Sequence, residues 1–151
     1  MNMSMENILG SKAGIELRLF TNSIITKQGY PEPTGQAKIT PGFNLPSKYI
    51  IHTVGPIVQG RLTKENERLL ASCYRSILEL ADQNDIKTLA LCCISTGVFM
   101  FPNQRAAETA VKTVEEWLQS NPETMEWIIF NVFKDIDLMF YKYYLGEPEA
   151  E

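Results

Sequence analysis

The sequence predicts an α/β fold with a mixed, mostly parallel sheet covered by helices on both faces. Helical and strand-like stretches follow in the order α-β-β-α-β-α-β-α, the alternation that builds parallel sheets through crossover helices. The short apolar run Leu89 to Ile94 is bounded by polar residues and reads as a strand buried on both faces. With 151 residues, 44% of them apolar, the chain is one domain with a substantial core.

Residues 1 to 10 show no apolar periodicity and are expected to be irregular. Ile15, Leu17, Leu19, Phe20 and Ile24 then mark an amphipathic helix over Lys12 to Lys27, stopped by Gly29. Pro31 and Pro33 hold the chain extended before a short strand, Gln36 to Ile39. A loop, Gly42 to Pro46, leads to a β-branched and aromatic strand, Lys48 to Val54, ended by Gly55-Pro56.

Thr63 is a good N-cap, but Asn66 replaces the usual Glu three positions on, which leaves the capping box incomplete. Leu69, Leu70, Cys73, Tyr74, Ile77, Leu78 and Ala81 share one face of the helix that follows, which ends near Asp82-Gln83-Asn84. The central strand is Ile86 to Ile94. Asn103 can cap the next helix, whose buried side carries Ala106, Ala107, Ala110, Val111, Val114, Trp117 and Leu118 before Asn121-Pro122 breaks it. Met125 to Phe133 is the last strand. An aromatic-rich helix, Asp135 to Leu145, closes the fold at Gly146, and residues 146–151 are a frayed acidic tail.

The net charge of −4 gives no basic excess for nucleic acid, so an anionic ligand must be held by local N–H groups and helix dipoles. Cys73, Cys92 and Cys93 make an odd count without framework spacing, which points to a reducing cytoplasm and to cysteines acting as small buried hydrophobes. No apolar run approaches membrane length and no signal-peptide pattern is visible.

After the central strand comes Ser95-Thr96-Gly97-Val98-Phe99-Met100-Phe101-Pro102, a small-residue loop opening into a helix. Strand, loop and helix N-terminus together offer backbone N–H groups to a phosphate at the carboxyl end of the sheet. Ile94-Ser95-Thr96-Gly97-Val98-Phe99 with Phe101-Pro102 resembles the second ligand loop of the macrodomains, ADP-ribose-binding α/β domains of which some hydrolyse ADP-ribose from proteins. Lys48 to Pro56 is similar to another macrodomain strand. Pro33 to Thr40 with Asn44-Leu45-Pro46, and Phe130 to Lys134, are similar to the microbial zinc-containing branch. The resemblance spans about residues 13 to 145 and implies a three-layer α/β/α sandwich. It also implies that Ile94, Ser95, Thr96, Gly97, Val98 and Phe99 hold ligand while Asn131 and Phe133 border the adenosine.

The resemblance further implies strands, a first ligand loop and zinc ligands ahead of Ala13, so the expected domain is N-terminally truncated. Ser4 falls near an expected cysteine ligand and Gly10 near an expected histidine. His52 is the only histidine, and Cys92 and Cys93 point to opposite faces, so no metal site is expected. His52 is read as a strand histidine satisfied by a backbone partner. No catalytic residue is assigned. Asp135 and Asp137 read as a solvated first turn, Glu115-Glu116 as a solvated face, and Tyr141, Tyr143 and Tyr144 as core and rim packing. Met100 stands where the family has glycine, which is costly if the backbone there has positive φ.

Two functions follow. One is an ADP-ribose or ADP-ribosyl-protein binding module with family-implied hydrolase activity that this chain lacks the groups to perform well. The other is a truncated, inactive remnant serving as a structural or interaction domain, whose uncovered sheet would be covered by a homodimer.

Overall fold

The computed structural model describes residues 14–146. The helices are α1 (Ile15–Gln28), α2 (Lys64–Gln83), α3 (Asn103–Ser120) and α4 (Asp135–Leu145). The strands are β1 (Ala37–Pro41), β2 (Tyr49–Thr53), β3 (Thr88–Cys92) and β4 (Trp127–Asn131). The order of elements is the one predicted, and α4 matches residue for residue. The expectations for residues 1 to 10, Ser4 and Gly10 included, and for the tail beyond Gly146 lie outside the described residues.

The described strands form two ladders. β1 and β2 pair antiparallel, from Ala37 opposite Thr53 to Pro41 opposite Tyr49. β3 and β4 pair parallel, from Thr88 beside Trp127 to Cys92 beside Asn131. Among the described residues these are two separate two-stranded sheets, one antiparallel and one parallel, instead of the single mostly parallel sheet expected, because no ladder joins β2 to β3. One face of both ladders rests on the helices. Ala37, Ile51, Leu89, Ile128 and Phe130 pack against a core of Leu70, Tyr74, Leu78, Phe101, Ala107 and Val111. α3 lies between α2 and α4, and its alanines at 106, 107 and 110 let the helices approach closely.

The structure corrects several expectations. β3 is not buried on both faces. Leu91 is buried, but Thr88 and Ala90 are exposed, as are Trp127 (67%) and Ile129 (52%) beside them on β4. No described element covers that face. α1 buries only Leu17, leaving Ile15, Leu19 and Phe20 exposed although they share its apolar stripe. The capping box of α2 is complete. Asn66 N–H donates to Thr63 Oγ1 at 3.1 Å, and Asn66 Oδ1 accepts from Thr63 N–H at 3.0 Å. Asparagine is short, but its carbonyl oxygen does what a glutamate carboxylate would do.

Glycines end α1 and α4 as predicted. Gly29 and Gly146 are left-handed, at φ 80° and 73°. Thr63→Ala removes the side-chain half of the α2 cap and should cost about 1 kcal/mol in urea unfolding. Thr63→Ser should cost a small fraction of that.

Candidate functional site

The parallel register brings the ends of β3 and β4 side by side, so the predicted site residues gather at one end of the sheet. Asn131 is the last residue of β4, beside Cys92, and Phe133 two positions on is 98% exposed. Ser95 to Phe99 follow β3 directly.

Burial fixes the shape of this loop. Phe99 and Phe101 are buried, while Val98 and Met100 between and beside them are each 71% exposed. The loop closes on itself through Phe101 N–H to the Ser95 carbonyl (2.9 Å) and Met100 N–H to the Gly97 carbonyl (3.0 Å). Both flanking phenylalanines point inward, so the backbone must reverse at Met100, which takes φ 62°. The strain foreseen for methionine here is present. Ser95 is also left-handed, at φ 66°. Among the described residues, the backbone N–H groups of Ser95, Thr96, Gly97, Val98 and Phe99 have no acceptor. Five consecutive free amides thus precede the N-terminus of an 18-residue helix, a run of donors of the kind that suits an anion. Ile94 differs, because its N–H is directed at the Tyr74 hydroxyl at 3.5 Å and its side chain packs toward the core.

Gly55 supports this loop from below. A Cβ there would lie 2.0 Å from Ser95 Oγ and 2.5 Å from Ile94 Cγ2, so only glycine fits. Val58 N–H then donates to the Phe99 carbonyl at 2.8 Å and links the β2–α2 loop to the β3–α3 loop. Gly55 was legible only as a strand end; nothing in one sequence shows which residue it must pass.

Two further groups at this end escaped sequence reasoning. Asn103 does not cap α3: the N-cap is Pro102, without a side-chain bond. Asn103 Nδ2 instead donates to Asp137 Oδ1 at 2.6 Å. Asp137 is 4% exposed and is not part of a solvated turn, whereas Asp135 is exposed. Glu115 and Glu116 are exposed as expected, Tyr141 is buried, and Tyr143 is on the surface.

The site has no activated nucleophile among the described residues. Ser95 Oγ is buried without a partner. Burial raises all three thiols, and Cys93 is pushed up to about 11, with the Asp137 charge adding to the effect, so the thiols are protonated at neutral pH. Cys73 is buried as predicted, while Cys92 and Cys93 are only partly so. His52 Nε2 is 3.0 Å from Thr40 Oγ1, so its partner is a hydroxyl and not the expected backbone group. Its desolvation lowers the imidazole pKa. No three His, Cys, Asp or Glu side chains among the described residues are grouped as a metal would require, and the positions near Ser4 and Gly10 lie outside those residues. A concavity of about 320 Å³ lies at the amino end of β4, between Val111, Val114, Trp127 and Leu145.

Strands alternating with helices, with a strand-to-helix loop of unpaired amides at a strand's carboxyl end, define an α/β protein with the layout in which open α/β folds place their ligands. The sequence matches the Macro domain family over residues 4–110, and the chain belongs to that family. It is 53% identical over 137 residues to a protein-ADP-ribose hydrolase of Treponema medium and 52% identical over 139 residues to one of Staphylococcus aureus strain MSSA476, covering 91% of this chain in each case. The chain spans about half (52%) of the length of those curated relatives. The Oceanobacillus iheyensis macrodomain solved with ADP superposes with a TM-score of 0.86 at 35% identity, covering 93% of this chain and 74% of that one. A glycine-to-valine mutant of the same macrodomain, solved with ADPR, gives 0.85.

His52 and Met100 each give a test in unfolding experiments. The folded state disfavours protonated His52, so its contribution to stability is present above about pH 6.5 and is lost as pH falls below that value toward the depressed folded pKa. His52→Gln should flatten that part of the unfolding-versus-pH curve. Met100→Gly relieves the left-handed strain and should raise unfolding stability by about 0.5–1 kcal/mol, net of the extra chain entropy of glycine. An unchanged urea midpoint would contradict it.

Proposed function

We propose that this chain binds the ADP-ribosyl group, free or on a protein, and that the Ser95–Phe99 loop is the diphosphate cradle. The observation that carries this reading is the run of five consecutive amides without an acceptor among the described residues, in a loop anchored by the buried Phe99 and Phe101. Asn131 and the fully exposed ring of Phe133 stand at the same end, where an adenosine would extend from the diphosphate. The relatives' name and the ligands of the solved macrodomains support the same assignment. Binding by backbone N–H groups asks for no metal or cofactor from the described residues and is compatible with a net charge of −4.

Cleavage of an ADP-ribosyl bond is the activity named for the relatives. The described residues supply no activated nucleophile for it, so we propose that binding exceeds any catalysis by this chain. We also propose a cytoplasmic setting, in keeping with three unpaired thiols.

A second reading is favoured by one observation. Trp127 and Ile129, with Ala90, form an exposed apolar strip on β3–β4. A homodimer covering this strip accounts for it, whether or not the loop binds ligand. A monodisperse monomer in sedimentation would remove that reading.

The test of the first reading is a calorimetric titration of the folded chain with ADP-ribose beside its Gly97→Glu variant. The wild type should bind saturably. The variant, with a carboxylate and bulk inside the cradle, should not. Absence of heat in a folded wild-type sample would overturn the binding assignment.

A further inference from the structure

We propose that Asp137 is a positioning residue for the candidate site: through Asn103 it fastens the start of α3, and the loop leading into it, to the start of α4. The inference deepens the ADP-ribose reading, and only its affinity arm rests on that reading. Asp137 is a carboxylate with 4% exposure in the first turn of α4, and its side-chain hydrogen bond comes from Asn103 Nδ2 at 2.6 Å. Asn103 is the first residue of α3, where an asparagine would ordinarily serve its own helix end. Here it turns away from that role and reaches 34 residues along the sequence.

The two helix starts joined in this way are the downstream ends of the two loops that border the site. Ser95 to Pro102 runs into Asn103, and Val132 to Lys134 runs into Asp135. One charge-assisted hydrogen bond therefore sets the spacing between the amide cradle on one side and Phe133 on the other. A buried carboxylate left without its donor would draw in water or swing outward, and the two rims would then move independently. Cys93 and Tyr141 lie within electrostatic reach of Asp137, whose charge adds to the burial that disfavours their ionisation.

Amide hydrogen exchange on the full 151-residue chain tests the fastening without ligand. Asn103→Asp places two carboxylates face to face and should break the link, and Asn103→Asp with Asp137→Asn should remake it with donor and acceptor exchanged. The broken variant should exchange the Val58, Met100 and Phe101 amides about tenfold faster while α2 amides such as Leu78 keep their rate. The exchanged pair should restore the slow rate. ADP-ribose affinity should fall and recover in parallel. If Asn103→Asp does not fold, Asn103→Ala provides the broken state. Unchanged loop exchange, acceleration shared equally by α2, or failure of the exchanged pair to recover would each overturn the proposal. A wild type that gives no heat with ADP-ribose would sink the binding assignment alone, and the exchange comparison would still decide the role of Asp137.

Discussion

The two strand ladders are held together by a helix. Neighbouring residues on α2 reach the end of each ladder: Cys73 Sγ donates to the Val54 carbonyl at 3.4 Å, and the Tyr74 hydroxyl donates to the Cys92 carbonyl at 3.1 Å. Val54 follows β2 and Cys92 ends β3. Ser72 and Ser76 of the same helix add bonds of 3.0 and 2.7 Å to the Gly35 carbonyl, and Gly35 N–H returns to Val54. The relative placement of the two ladders thus depends on one turn of α2. The candidate loop begins just beyond the carbonyl that Tyr74 holds. Burial of the Tyr74 ring raises its hydroxyl pKa far above the ordinary value, so the group remains a neutral donor across the physiological range.

Most of this fold was legible because local signals and tertiary packing agree. The apolar face of α2 and the Ala106–Trp117 stripe of α3 are buried where their 3.6-residue period placed them. α1 shows the limit: its apolar residues recur at the right spacing, yet only Leu17 is buried, and Phe20 meets just the edge of Phe43. Periodicity tells which residues share a face and not whether anything covers that face. The same holds for β3, where an apolar run looked doubly buried but Ala90 faces outward. The candidate loop was readable because it is contiguous. The Asn103–Asp137 link and the Gly55–Ser95 contact were not, because each joins residues far apart in the chain through geometry that one sequence does not record.

The loop itself combines rigidity with strain. Two buried aromatic rings one residue apart leave the intervening methionine no relaxed conformation. Strain of this kind persists only where neighbours over-determine the backbone. Here the over-determination comes from the core below Phe101 and from the Val58 bond to Phe99.

The chain's two tryptophans sit in opposite surroundings: Trp117 is 8% exposed within the helical core, and Trp127 is 67% exposed on the open strand face. Their fluorescence reports separate events. Covering the open face would shift emission of Trp127 to the blue and shield it from a soluble quencher while Trp117 stayed as it was. Loss of the core would do the reverse to Trp117. The uneven burial of the sheet gives the domain an internal pair of optical probes, one for association and one for unfolding.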